Sequence, residues 1–159
     1  MRIPTLALAL CLTLPLLFQG GRVRGEDAPS ERVIHAAVQA FLEAVKAQSP
    51  DAVMKTVDVP WFHMGEEVIK ERDKLKSEFD ALFRRRTFSD LRYEILKTAA
   101  YELIRERTTA EERQLLDAVL GPKDAVVLIS MDTQMNRNRK VVLLVRSSGK
   151  EAKVVGLKE

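Results

Sequence analysis

Cysteine, histidine and tryptophan are nearly missing from this sequence. Of its 159 residues one is a cysteine, Cys11, one a tryptophan, Trp61, and two are histidines, His35 and His63. Cys11 lies in the N-terminal apolar run, so the remainder can form no disulfide within itself and offers no thiol chemistry. With two histidines, a transition-metal site would need carboxylates in most positions. The one local cluster, Glu66-Glu67 beside His63, has no zinc-ligand spacing and reads as a solvated hairpin loop. Gly65 and Gly121 stand alone, and no Gly-x-Ser-x-Gly elbow, phosphate loop or dinucleotide fingerprint occurs. No metal and no cofactor is expected, and no catalytic set is readable.

The chain opens with Met1-Arg2 and then carries no charge from Ile3 to Phe18. A positive start followed by a short apolar run is the pattern of a secretory signal. The run falls below the roughly 20 apolar residues of a membrane span, and Pro15 weakens it further as a helix. An uncleaved membrane anchor is the alternative. Small residues at the first and third positions before the cut point to Val23-Arg24-Gly25, giving a signal peptide over 1–25 and a single domain over 26–159. Leu10 before Cys11 argues against a lipid-attachment site. Removing Arg2, Arg22 and Arg24 brings the basic residues from 26 to 23, equal to the 23 acidic ones. The mature chain thus has no basic field for nucleic acid or for an anionic membrane. A secreted or periplasmic location is expected.

From Glu31 to Gln48 the apolar residues Ile34, Ala37, Val38, Phe41 and Val45 recur at helical spacing, with His35 on the opposite, wet stripe. Ser49-Pro50-Asp51 breaks that helix and starts a short second one to about Thr56. Val57–Phe62 and Val68-Ile69 read as a hairpin, which Pro60 should confine to a sheet edge. Asp73 can cap a third helix with the stripe Leu75, Phe79, Leu82 and Phe83. Arg84-Arg85-Arg86 at its end complements the helix dipole. Leu91, Tyr93 and Ile95 mark a half-buried strand, followed by a short helix from Thr98 to about Arg105. Thr109 with Glu112 is a capping-box pattern, and Gly121-Pro122 is a stop, so a helix is expected at about 110–120.

After Asp124 three strands follow without a helix. Val127, Ile129 and Met131 form an apolar core face in the first, matched by Val141, Leu143 and Val145 in the second. A three-residue loop, Asn136-Arg137-Asn138, would pair Met131 with Leu143 and Ile129 with Val145. A Ser147–Lys150 loop would then set Arg146 opposite Glu151 and Leu143 opposite Val154. Val126, Leu128, Val142, Leu144 and Val155 fall on the outer face, a patch that suggests a homodimer through it. Asp132 shares that outer parity, which argues against its being a buried base. Helices first and a meander last is an α+β order.

This order resembles the nuclear transport factor 2-like superfamily, which includes SnoaL-like domains. The resemblance rests on Phe41-Leu42-Glu43-Ala44-Val45 leading into Ser49-Pro50-Asp51, on the hairpin before the third helix, and on the closing strands up to Val154-Val155-Gly156-Leu157. It implies a curved antiparallel sheet wrapped around helices as a cone with an open pocket, and it covers most of residues 26–159. The helices between Thr98 and Leu120 are an insertion relative to the simplest form of that fold. Enzymes of the superfamily place an acid or base at the pocket floor, but no catalytic residue of theirs is carried over here. In such a cone Trp61, Phe83 and Tyr93 would line the pocket, with His63 at its rim. The expected function is non-catalytic binding of a small apolar ligand or a protein. The alternatives are acid/base chemistry of the isomerase or dehydratase type, or an assembly module.

Overall fold

The structure, a computed structural model, describes residues 30–134 and 137–159; the expected signal segment, with Cys11, lies outside the described residues. Helix α1, Glu31–Lys46, begins at Ser30, whose side chain accepts the Val33 N–H, and buries Ile34, Val38, Phe41, Leu42, Ala44 and Val45. Helix α2, Pro50–Thr56, has Ser49 as its N-cap and Pro50 in its first turn. The hairpin is β1, Val57–His63, with β2, Glu67–Ile69. Helix α3 covers Arg72–Arg85. Its N-cap is Glu71, with no side-chain bond, and the expected cap Asp73 lies inside the first turn, where it favours the helix through the dipole alone.

Strand β3, Arg92–Ala100, runs longer than expected: Thr98 to Ala100 stay in the ladder, facing Val127 to Ala125. Helix α4 is therefore only Tyr101–Arg105. Helix α5, Ala110–Asp117, starts where Thr109 accepts the Glu112 N–H at 3.2 Å. The closing strands are β4, Ala125–Asp132, β5, Arg139–Ser147, and β6, Ala152–Lys158. Among the described residues no helix is long and apolar enough to cross a membrane.

The six strands form one curved, unclosed sheet in the order β2-β1-β6-β5-β4-β3. All neighbours are antiparallel except β1 and β6, which pair parallel. The β1–β2 hairpin is at an edge of the sheet, as expected, with β2 outermost and Pro60 on the second strand. The pairing with β6 shifts register between Val57 and Phe62, and β2 pairs only from Trp61 onward. The missing N–H of Pro60 consequently falls in a gap between ladders.

The core face is the expected one, with Val127 and Ile129 fully buried, but the registers differ. Ile129 pairs with Val141 and Val127 with Leu143. The connection occupies 133–138 and is wider than three residues. Side chains hold its two described ends: Asp132 accepts the Asn138 N–H at 2.5 Å and Asp90 accepts the Gln134 N–H at 2.6 Å. Asn138 does take the left-handed backbone, at φ 55. Across the next hairpin Arg146 pairs with Lys153, because the ladder closes at Ser147 with Ala152 and the loop is 148–151; Leu143 pairs with Leu157, one residue further, because β6 carries an extra residue where the register shifts between Leu144 and Val145.

The sheet is packed on both faces. Helices α1, α2 and α3 cover the face with Val127, Ile129, Leu143, Val145 and Val154. On the other face the chain itself covers much of the outer patch. Val126, Leu144 and Val155 are buried with Phe62 and Tyr101 beneath the chain's own Leu116, Val119 and Leu120. The inserted helices are the cover. Leu128 and Val142 stay half-buried.

Candidate ligand pocket

Strand parity and helix period aim one set of side chains into the space between the core face and α3. On β1 Trp61 and His63 point to the same side, two residues apart. On α3 Leu75, Phe79 and Leu82 recur at three- and four-residue steps. Between them lies a cavity of about 680 Å³, within the range of small-molecule sites. Its buried wall includes Phe41, Trp61, Phe79, Val141 and Leu143. The polar lining, including the exposed Arg85 and Arg86, collects where the wall gives way to solvent.

The wall is an aromatic cluster. Ring centroids of Trp61 and Phe79 are 5.6 Å apart at 74°, an edge-to-face contact, and Phe41 stands 6.1 Å from Trp61 and 6.2 Å from Phe79. Trp61 is 1% exposed, yet its Nε1 has no hydrogen-bond partner. A buried donor left unpaired costs about 1–3 kcal/mol.

His63, half-buried, lines the same cavity, and its imidazole has no partner among the described residues. Phe83 and Tyr93 are not among the lining residues. Phe83 rotates past the stripe that faces the cavity and packs between Phe79 and Phe88, with centroids at 6.2 and 6.0 Å. Tyr93 points inward, but its hydroxyl donates to Glu43 of α1 at 3.2 Å. Burial first, and that bond second, push its pKa above the ordinary tyrosine value. His35 is not simply solvated: its Nε2 lies 2.9 Å from Thr98 Oγ1, linking α1 to β3. Asp132 serves the β4–β5 turn.

Several lining residues were not singled out in the sequence. Met131 has the core parity that could have flagged it. Arg85 and Arg86 were hidden in a triplet explained by the helix dipole. Arg139 and Glu159 both line the cavity and form an ion pair with each other. Among the described residues no group of His, Cys, Asp and Glu could hold a metal ion.

No protein-family model matches the chain, and no curated protein matches it. Solved structures do. A ketosteroid isomerase-like protein from Erwinia carotovora atroseptica SCRI1043 is 20% identical over 80% of this chain and 92% of that one, with a TM-score of 0.54. A protein of unknown function with a cystatin-like fold from Nostoc punctiforme PCC 73102 is 12% identical over 80% and 86%, with a TM-score of 0.50. An NTF2-like protein of unknown function from Pseudomonas putida KT2440 is 11% identical over 80% and 83%, at 0.49. At these identities the likeness is one of fold. Helices on a curved, unclosed sheet of the cystatin-like kind agree with the resemblance that the order of the chain's elements implied.

Proposed function

We propose that the protein is a non-catalytic binding domain that holds a small apolar molecule in the cavity beneath α3. The observation that carries this reading is the wall of Phe41, Trp61 and Phe79 around about 680 Å³. An apolar body would gain by contact with the rings. The competing reading, acid/base chemistry, would fall to His63 or to the lining carboxylates Glu78 and Asp90. Among the described residues no side chain bonds to the His63 imidazole to fix its tautomer.

Trp61 is the single tryptophan, so intrinsic fluorescence reports on the cavity. Native mass spectrometry of protein purified from its own host should show a retained small molecule, and apolar probes such as naphthalene or dodecanol should change Trp61 emission. Host-purified protein that carries nothing, with emission indifferent to every apolar probe, would overturn the proposal. The pattern of Met1–Gly25 supports binding outside the cytoplasm. N-terminal sequencing of the host protein should then start near Glu26, and a retained Met1 would count against export.

A further inference from the structure

The inward side chains of β5 change character along the strand. Leu143 and Val141 are buried, at 1% and 5% exposure, and Arg139 is the next residue of the same parity. At about 3.3 Å per residue the step from Leu143 to Arg139 covers roughly 13 Å, from the apolar wall toward the opening. On the neighbouring strand Lys158 pairs with Val142, so Glu159 comes beside Val141 with inward parity. Arg139 and Glu159 both line the cavity and form an ion pair there, with side chains 35% and 29% exposed. Met131 faces Arg139 from β4. A half-buried pair of opposite charges thus continues the face that elsewhere carries Val127, Ile129 and Leu143.

This pair does not call for a charged ligand. Among the described residues six charged side chains line the cavity, three of each sign: Arg85, Arg86 and Arg139 with Glu78, Asp90 and Glu159. Glu78, Arg85 and Arg86 are exposed, where salt screens them. Arg139 and Glu159 neutralise each other. An anionic head that reaches Arg139 meets the Glu159 carboxylate, and a cationic head that reaches Glu159 meets the guanidinium, and like charges brought together reject a partner. The pair nonetheless has hydrogen-bonding capacity to spare. A guanidinium carries five N–H donors and a carboxylate about four acceptor sites, of which one ion pair occupies few. Donor and acceptor therefore stand side by side, the complement of a neutral group that itself donates and accepts.

Resting on the binding function proposed above, we infer that the ligand is uncharged, an apolar body ending in a hydroxyl or a primary amide. The body lies along Leu143 and Val141 against Trp61 and Phe79, and the end group donates to Glu159 and accepts from Arg139. Arg139 and Glu159 are thus specificity residues, which select a neutral end group and reject ions of either sign.

Four probes test this by Trp61 fluorescence below their micelle concentrations: dodecanol, its isomer undecyl methyl ether, dodecanoate and dodecyltrimethylammonium. The ether accepts a hydrogen bond but cannot donate one, and a cavity with no polar anchor would take it at least as well as the alcohol. Dodecanol should bind about fivefold more tightly than the ether and about tenfold more tightly than either ion. Arg139→Met with Glu159→Met should bring alcohol and ether to equal affinity. The single changes should unmask the charge left behind: relative to dodecanol, Glu159→Gln raises dodecanoate and Arg139→Gln raises the ammonium, each by about tenfold. Arg105→Gln, which breaks an ion pair away from the cavity, should leave the parent's ranking as it is. An ether or an ion bound as tightly as dodecanol overturns the inference and leaves the binding function intact, and so does a ranking that neither single change moves. Binding of none of the four overturns it as well, and the retained-ligand measurement then decides the binding function separately. Should the variants fail to fold, the parent protein's ratio of alcohol to ether still settles the matter.

Discussion

Gly156 of β6 faces Phe62 of β1 so closely that a Cβ on Gly156 would stand 2.6 Å from the Phe62 Cβ and 2.8 Å from its carbonyl oxygen. The contact lies in the one parallel pairing of the sheet, where β1 resumes its ladder after Pro60. Leu144 closes the site from the other side, its Cδ1 at 3.0 Å, so there is no direction in which a methyl group fits. Gly156→Ala should therefore cost at least the ~1–3 kcal/mol of an overpacked core, read as a lower midpoint in urea unfolding. A change within ±0.5 kcal/mol would show that the two strands are not packed this way.

On the outer face Tyr101 and Arg105 converge on Asp117. The tyrosine hydroxyl donates to Asp117 Oδ1 at 2.9 Å, and Arg105 donates through Nε at 2.8 Å and Nη2 at 2.6 Å. Burial, then the bond to Asp117, push the Tyr101 hydroxyl up to about 12. A raised pKa in the folded chain gives stability that is complete below the ordinary tyrosine value and lost as pH rises through the folded one. Unfolding free energy should thus fall between about pH 10 and 12, by on the order of 2 kcal/mol. Asp117 behaves in the opposite sense. Its carboxyl is held low chiefly by the Arg105 bond, against burial, with Tyr101 adding to the effect. That contribution is present above the ordinary aspartate value and lost as pH falls below it. Tyr101→Phe should remove the alkaline loss and cost about 1 kcal/mol at neutral pH. An unchanged alkaline limb would assign it to another group.

The inserted helices cover much of the outer face through which the sequence suggested a homodimer. Leu116 of α5, with Val119 and Leu120, buries Val126, Leu144 and Val155. Thr109→Ala should weaken α5 by about 1 kcal/mol through loss of its N-cap. Leu116→Asp goes further, because it puts a charge into an apolar seam. That variant should bind an exposed-surface dye and self-associate in sedimentation at concentrations where the parent does neither. If its behaviour matches the parent's, α5 is not the cover.

What could be read from the residues, and what could not, divides along physical lines. Local chemistry was legible: Ser49-Pro50 starts α2, Thr109 caps α5, and the odd parity of Val127 and Ile129 names the core face. Register was not, because parity repeats every two residues and a slip of four keeps every side chain on its face. The bonds that fix it, from the Asn138 N–H to Asp132 and from the Gln134 N–H to Asp90, depend on a folded turn and on a residue of the turn before β3. The parallel pairing of β1 with β6 joins strands far apart in the sequence and has no local signal. In the pocket, Trp61 and His63 followed from the resemblance to a cone-shaped fold. Phe83 and Tyr93 were also inward by pattern, but helix rotation and the Glu43 bond draw them away from the lining. Arg85 and Arg86 were visible only as a charge run, since the direction of Arg86 depends on Gln48, which lies beyond α1 at a left-handed φ of 52.

The cavity itself can be tested by filling it. Adding bulk to a close-packed core forces strained rotamers and costs about 1–3 kcal/mol, whereas added atoms that enter an existing void gain contacts. Leu82 is half-buried on the cavity stripe of α3 and lines the space opposite Val141 and Leu143. Leu82→Trp should therefore leave stability within about 1 kcal/mol of the parent while its indole occupies the volume a ligand needs. Naphthalene and dodecanol binding, followed by calorimetry because a second tryptophan confuses the fluorescence, should both fall by more than tenfold. Phe79→Ala provides the contrast. It removes a ring from the wall, should cost about 3–5 kcal/mol, and enlarges the space instead of filling it. A Leu82→Trp chain that is strongly destabilised would mean the space closes in solution. One that binds both probes as before would place the ligand elsewhere on the molecule.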